Sequence, residues 1–351
     1  MTRIGVVREQ KIGERRVALT PAAVASLTDR HTVVVEHGAG DGAGYTDDDY
    51  RQAGATIGTQ DDVWAQNLLV KVKEPLEDEY AFFRAGQTLF CYLHLANEPA
   101  LTNALCAANT TAYAFETLAV NGRLPLLSPM SEIAGKAATL TAAQLLSAAN
   151  GGRGQLIGGA AGAPPATVVV LGLGVAGLAA ARTAANLGAN VIGIDRDIDR
   201  LRDALDSGAI SQSRASTPPD ITHAIAGADV VIGAALVAGG RAPVLLTDEM
   251  VKMIGAGGVF VDIAIDQGGV SETSRPTSHD NSTYTVHDVI HYCVTNIPGQ
   301  YPRTATQALS AAIQPWVATL ADNPARLTDT GALNVEQGRV MHPAVKQALS
   351  R

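Results

Sequence analysis

Two kinds of hydrophobic pattern alternate along the chain. Short apolar runs rich in β-branched residues read as buried strands, and amphipathic stretches between them read as helices. Strands are predicted at Arg3–Val7, Thr32–Val35, Leu68–Val72, Thr88–Leu93 and Thr111–Phe115. Helical spacing predicts helices at Pro21–Leu27, Asp47–Ala53, Asp61–Ala65 and Glu98–Ala108, the first with Thr20 as N-cap and Pro21 opening the helix. Ser131–Ala149 reads as one long connecting helix, with Ser131 as N-cap and Glu132 in its first turn. After a glycine-rich loop, Gly151–Pro165, strands are predicted at Thr167–Leu171, Asn190–Ile194, Ala228–Ala234, Gly258–Ile265, Thr283–Val286 and Tyr292–Asn296. Thr304–Ala321 returns to helical spacing, and the tail to Arg351 reads as a shorter helix or two.

Such alternation predicts parallel sheets with helices on both faces. The chain has 351 residues, comfortable for two cores. We expect a first domain over residues 1–128 and a second over 129–302. Residues 303–351 are expected to pack back on the first domain, making the second an insertion.

Composition narrows the picture. At 46% hydrophobic and 17% charged residues the chain is an ordinary globular protein. A net charge of −8 without a basic cluster argues against general binding to nucleic acid or anionic membrane. Cys91, Cys106 and Cys293 make no zinc or disulfide pattern; Cys91 and Cys293 sit inside apolar runs, so buried thiols in a reducing cytosol are expected. The N-terminus has no secretory apolar core of adequate length, so a cytoplasmic location is expected.

The most informative stretch is TVVVLGLGVAGLAAARTAANLGANVIGID, Thr167 to Asp195. Gly172, Gly174 and Gly177 form G-x-G-x-x-G between a strand and a helix. The first makes the tight turn, the second lets backbone approach a pyrophosphate and the third lets helix pack on strand. The helix N-terminus offers N–H groups to phosphate, and Asp195 stands where an acid takes a ribose 2′-OH. This context points to a Rossmann-like dinucleotide site and to NAD as cofactor. Arg196 tempers the preference over NADP.

Ligands of open α/β sheets bind beyond the carboxyl ends of strands. That rule selects Arg16, Lys73, His94 and Asp266, a set suited to a small carboxylate substrate. Each has a plainer reading. Arg16 has charged neighbours, Lys73 and Lys71 suit a solvated strand face, and His94 alone reads more readily as a core histidine. Asp266 shares its expected strand face with Asp262, so one of the two reads as structural. His287, Asp288 and His291 lack a third ligand at suitable spacing, so no metal is expected.

The motifs R-V-A-L-T-P (Arg16–Pro21), L-V-K-V-K-E-P (Leu69–Pro75), L-H-L-A (Leu93–Ala96) and P-M-S-E-I-A-G (Pro129–Gly135) resemble the alanine dehydrogenase family. So do G-L-G-V-A-G (Gly172–Gly177), A-D-V-V-I-G-A (Ala228–Ala234) and V-D-I-A-I-D-Q-G-G (Val261–Gly269). S-R-P-T (Ser274–Thr277) and Y-C-V-T-N-I-P (Tyr292–Pro298) complete the series. The resemblance implies an α/β fold of two Rossmann-like doubly wound parallel-sheet domains flanking a cleft, assembled as a homo-hexamer. It implies NAD-dependent conversion of alanine to pyruvate and ammonia. Another amino acid as substrate, a transhydrogenase-like subunit and a silent NAD(H)-binding protein are the alternatives. Carried over, Arg16 and Lys73 bind the substrate carboxylate, and Lys73 also contacts the carbonyl oxygen. His94 is the acid–base group and Asp266 its catalytic partner, while Met130 and Asn296 line the substrate end. Cofactor contacts fall to Ser131, Gly172, Gly174, Val175, Ala176, Gly177, Asp195, Arg200, Ile265, Asp266 and Ile297. The chain departs from the family in carrying Lys136 after Gly135 and in the run I-D-R-D-I-D-R after the second nucleotide strand.

Overall fold

Strand β1 (Arg3–Val6) buries three of its four residues, as a branched apolar run between two covered sheet faces must. The computed structural model describes residues 1–235 and 241–349; Ser350 and Arg351, the end of the predicted tail, lie outside them. The chain continues through α1 (Pro21–Thr28), β2 (Thr32–Glu36), α2 (Asp47–Gln52), β3 (Thr56–Gly58), α3 (Gln60–Trp64) and β4 (Leu68–Val70). Next come β5 (Thr88–Cys91), α4 (Pro99–Ala107), β6 (Thr111–Ala114) and the long α5 (Ser128–Leu145). A second set follows: β7 (Thr167–Leu171), α6 (Val175–Asn186), β8 (Asn190–Asp195), α7 (Ile198–Asp206), β9 (Gln212–Ala215), α8 (Pro218–Ile225) and β10 (Val230–Gly233). It closes with α9 (Asp248–Lys252), β11 (Val259–Asp262), β12 (Thr283–Val286) and β13 (Val289–Tyr292). The chain ends with α10 (Pro302–Asp322), β14 (Leu333–Glu336), β15 (Arg339–Val340) and α11 (Pro343–Leu349).

These elements form two compact units, one of Met1–Met130 with Tyr301–Arg351 and one of Ser131–Gln300. The first holds a sheet in the order β15-β14-β6-β5-β4-β1-β2-β3, the second one in the order β12-β13-β11-β10-β7-β8-β9. Both contain the doubly wound order in which successive strands run outward from a central pair in opposite directions. The switch points, where ligands of such sheets bind, are β1/β4 and β7/β10.

Both sheets are mainly parallel, but neither is wholly so: β14 runs antiparallel to β6, and β12 antiparallel to β13. The tail expected as helix thus contributes a hairpin, β14–β15, turned by Gln337 and Gly338 at positive φ before the short α11. Short edge strands β3 and β9 were also not expected from pattern.

Other boundaries move as well. The connecting helix starts at Ser128, so Ser131 is not its N-cap and Glu132 lies beyond its first turn. The Leu124–Leu127 segment already turns, and Ser128 donates backbone N–H and Oγ to Leu124 O. The helix also stops at Leu145, and Ala148–Asn150 forms a separate 3₁₀ turn. The strand expected at Tyr292–Asn296 lies at Val289–Tyr292, because His287 and Asp288, both at positive φ, make the two-residue hairpin turn that sets its register. The strand expected to reach Ile265 ends at Asp262 and passes into a 3₁₀ turn, Ile263–Gln267.

In the second unit α6 packs against α5 closely enough that a Cβ on Gly135 would lie 2.0 Å from Ala176 O. Thr139 Oγ1 donates to Ala180 O across the same crossing at 2.9 Å. Gly135 and Thr139 thus form a small-residue face of α5 against α6. No helix among the described residues is long and apolar enough to cross a membrane.

Candidate functional site

In the first unit, Arg16, Lys73 and His94 follow the ends of β1, β4 and β5, which lie side by side about the switch point. Arg16 is 2% exposed. Its Nε donates to Glu14 Oε1 at 2.6 Å and Nη2 to Glu14 Oε2 at 2.5 Å, a two-point pairing that fixes the guanidinium plane. Nη1 donates to Met130 Sδ at 3.0 Å. Burial alone would lower the Arg16 pKa, but the hydrogen bonds and charge of Glu14 outweigh it and hold it above its ordinary value.

Lys71 and Lys73 prove unlike. The strand ends at Val70, so alternation no longer places the two lysines together. Lys71 is sealed in, with Nζ 2.7 Å from Glu79 Oε1 and 3.7 Å from Glu9 Oε2. Lys73 is half-buried, and its backbone is held from below. Glu9 Oε1 accepts Val72 N–H at 2.7 Å and Oε2 accepts Lys73 N–H at 3.3 Å. Burial pushes Glu9 up to about 7, against the pull of Lys71 and of the Val72 N–H. Glu9 also acts electrostatically on Arg16, so one carboxylate reaches both the Lys73 backbone and the Arg16 guanidinium.

His94 adopts φ +50°, the left-handed region that non-glycine residues enter at a cost of roughly 1–2 kcal/mol. Its N–H donates to Glu116 Oε1 at 2.7 Å. Its ring lies parallel to Tyr92, 6.1 Å between centroids and 9° between planes. Tyr92 is pinned by its hydroxyl donating to Leu126 O at 2.6 Å and lies within electrostatic reach of Arg16. Shared partners thus bring Arg16, Lys73, His94 and Met130 together in this unit.

In the second unit, Gly172 turns the chain at φ +93° and its N–H donates to Ile194 O at 2.7 Å. A Cβ on Gly177 would lie 1.7 Å from Gly172 O, so only glycine lets α6 start against the turn. Gly174 differs: nothing but Arg200 Nη1, 3.9 Å away, would meet a Cβ there. The protein itself does not require glycine at 174. The open space before it, at the N-terminus of α6, is a cradle that a phosphate fits and a side chain would fill. Val175 and Ala176 are the first residues of that helix.

Asp195 ends β8 and is buried. Its Oδ2 accepts Leu173 N–H at 2.6 Å and its Oδ1 accepts Asp197 N–H at 2.9 Å. Arg200 Nη1 stands 3.8 Å from the same carboxylate. The acid therefore braces the glycine turn. The residues present fit a dinucleotide.

Asp266 does not lie on a strand. It is exposed on the 3₁₀ turn after β11, beside buried Ile265. Asp262 is the structural acid of the pair, accepting Ala264 N–H at 3.0 Å, Val270 N–H at 2.8 Å and Ser274 Oγ–H at 2.5 Å. Burial raises the Asp262 pKa despite these bonds. Asn296 sits at φ +56° before buried Ile297, its amide folded against Gly299. Ser131 is half-buried on α5. His287 is committed to Asp248 at 2.8 Å and His291 to Thr273 Oγ1 at 2.8 Å. Among the described residues no group of His, Cys, Asp and Glu could hold a metal ion.

Sequence reasoning missed the carboxylates. Glu14, two positions before Arg16, was legible in principle from the charge alternation. Glu9 and Glu116 reach their partners only through the fold.

The chain was compared with known proteins. The family model "Alanine dehydrogenase/PNT, N-terminal domain" matches residues 5–134, and "Alanine dehydrogenase/PNT, C-terminal domain" matches residues 138–343. An alanine dehydrogenase of Mycolicibacterium smegmatis is 48% identical over 358 aligned positions, covering 99% of this chain and 96% of that protein. A solved L-alanine dehydrogenase superposes with a TM-score of 0.95 at 44% identity, over 99% of both chains. A transhydrogenase from Sinorhizobium meliloti superposes at 0.85 with 27% identity, over 97% of this chain and 99% of that one.

Proposed function

The chain belongs to the alanine dehydrogenase/PNT family, and from that premise we propose that it oxidises L-alanine to pyruvate and ammonia with NAD, reversibly. The observation that carries the reading is the cluster of Arg16, Lys73 and His94 at the β1/β4 switch point, where an amino acid can be held by its carboxylate.

Arg16, held in plane by Glu14, takes the substrate carboxylate, and Lys73 adds a second positive charge. Lys73 also polarises the carbonyl of pyruvate in the reverse direction. Bound NAD supplies a hydride acceptor. Loss of hydride from Cα leaves an imine, to which water adds. His94 takes the proton from that water and returns it to the departing amine. Asp266 is assigned as the second proton-handling acid, and Met130 and Asn296 as substrate-side contacts. The sum is alanine, NAD and water giving pyruvate, ammonium, NADH and a proton.

On the cofactor side we assign Gly172, Gly174, Gly177, Val175 and Ala176 to the pyrophosphate and Asp195 to the ribose. Arg200, Ser131, Ile265 and Ile297 are assigned as further contacts. A cytoplasmic homo-hexamer is the assembly that the family resemblance supports. A screen of amino acids with NAD tests the proposal. Alanine is expected to give the highest kcat/KM, and a clear preference for another amino acid would overturn it.

A further inference from the structure

We propose that Glu116 is a positioning residue for His94, acting through the backbone. The inference rests on the reading of the protein as an amino-acid dehydrogenase with His94 as its acid–base group. Beyond Cys91, where β5 ends, the chain leaves the ladder, and its N–H groups need other partners. Those of Leu93 and His94 turn to one carboxylate. Glu116 accepts His94 N–H at 2.7 Å through Oε1, and Leu93 N–H at 3.3 Å through Oε1 and 3.2 Å through Oε2. On the other side of His94, its carbonyl accepts Asn97 N–H at 2.8 Å.

His94 needs such a hold because φ +50° is not where a histidine rests unaided. The turn has a geometric effect. It folds the chain back after the strand, so the imidazole lies parallel to Tyr92 instead of following the strand outward.

Glu116 is itself placed by the fold. It sits on the 3₁₀ turn Phe115–Thr117, directly after β6, the neighbour of β5. Thr117 of the same turn accepts Asn334 Nδ2–H at 2.7 Å from β14. The returning C-terminal strand therefore braces the turn that sets His94.

The test compares wild type with Glu116→Ala and Glu116→Gln in kcat, KM and isotope effects, using alanine deuterated at Cα and heavy water. Misplacing the proton-transfer group is expected to lower kcat about tenfold or more while KM for alanine and NAD stays within about threefold. Proton transfer then limits turnover, so the solvent isotope effect rises and the Cα-deuterium effect falls. Glu116→Gln keeps an acceptor oxygen at the same reach and is expected to recover most of the lost turnover. Should Glu116→Ala not fold, Glu116→Asp, which withdraws the carboxylate by one methylene, carries the same readout. Lower kcat with both isotope effects unchanged would mean only fewer active molecules and overturns the proposal. Unimpaired Glu116→Ala, or Glu116→Gln as impaired as Glu116→Ala, does the same. A wild-type protein without turnover overturns the premise instead.

Discussion

Arg16 and Glu14 meet as a two-point ion pair, 2.6 Å and 2.5 Å long, with side chains 2% and 1% exposed. Such a pair is costly to break because the remaining charge has no water to turn to. Glu14→Ala is expected to destabilise the protein by about 3–5 kcal/mol, measured by urea unfolding.

Arg16 is also the residue proposed to orient the substrate. Arg16→Lys keeps the charge but loses the planar fork, so KM for alanine and pyruvate is expected to rise by about 10–100-fold. NADH affinity, measured by fluorescence titration, should stay unchanged. A parallel loss of NADH binding would mean that the pair supports structure alone.

Glu9 gives an unusual pH dependence. Its folded pKa, about 7, lies above the ordinary 4.5, so between those values the folded state keeps a proton that the unfolded state has lost. Its contribution to stability therefore falls as pH rises through that window. Lys71, Glu79 and Glu14 face it and contribute in both proteins compared. Urea unfolding at several pH values should show that Glu9→Gln removes a downward slope present in wild type between pH 4.5 and about 7. Parallel curves would contradict this.

The nucleotide turn separates folding from binding. Gly174→Ala meets open space, so the ligand-free Tm should hold while NADH affinity falls about tenfold or more, a phosphate being displaced from the helix N-terminus. Gly177→Ala drives a methyl into Gly172 O and should lower the Tm without ligand. Thermal melts with and without NADH distinguish the two.

Asp195 braces the turn through Leu173 N–H, so its removal should not simply exchange one cofactor for the other. Asp195→Ala is expected to lose NAD affinity without gaining NADP affinity. A variant that prefers NADP would show that the acid serves only the ribose.

How far these features were legible in sequence depends on how local their causes are. The β7–turn–α6–β8 unit was legible because strand, glycine spacing, helix and acid each obey a local mechanical rule. The β13 boundary was not, because V-I-H-Y-C-V is apolar but for His291 and only the positive φ of His287 and Asp288 decides where pairing begins. The final hairpin was missed because Leu333–Glu336 and Arg339–Val340 are short and owe their pairing to β6. At the candidate site, the rule that ligands lie beyond strand ends selected Arg16, Lys73 and His94. It passed over Glu9 and Glu116, which reach these residues from 64 and 22 positions away in the chain. A carboxylate under a backbone N–H leaves no spacing to read.

In the proposed reaction a hydride donor and ammonia meet an oxo acid on this protein. It is tested most directly by following nicotinamide absorbance with NADH and pyruvate, with and without ammonium, and assaying the product. NADH oxidation is expected only when ammonium is present, with one alanine formed per NADH consumed. Oxidation that proceeds equally without ammonium, or NADH that binds and is never consumed, would contradict it.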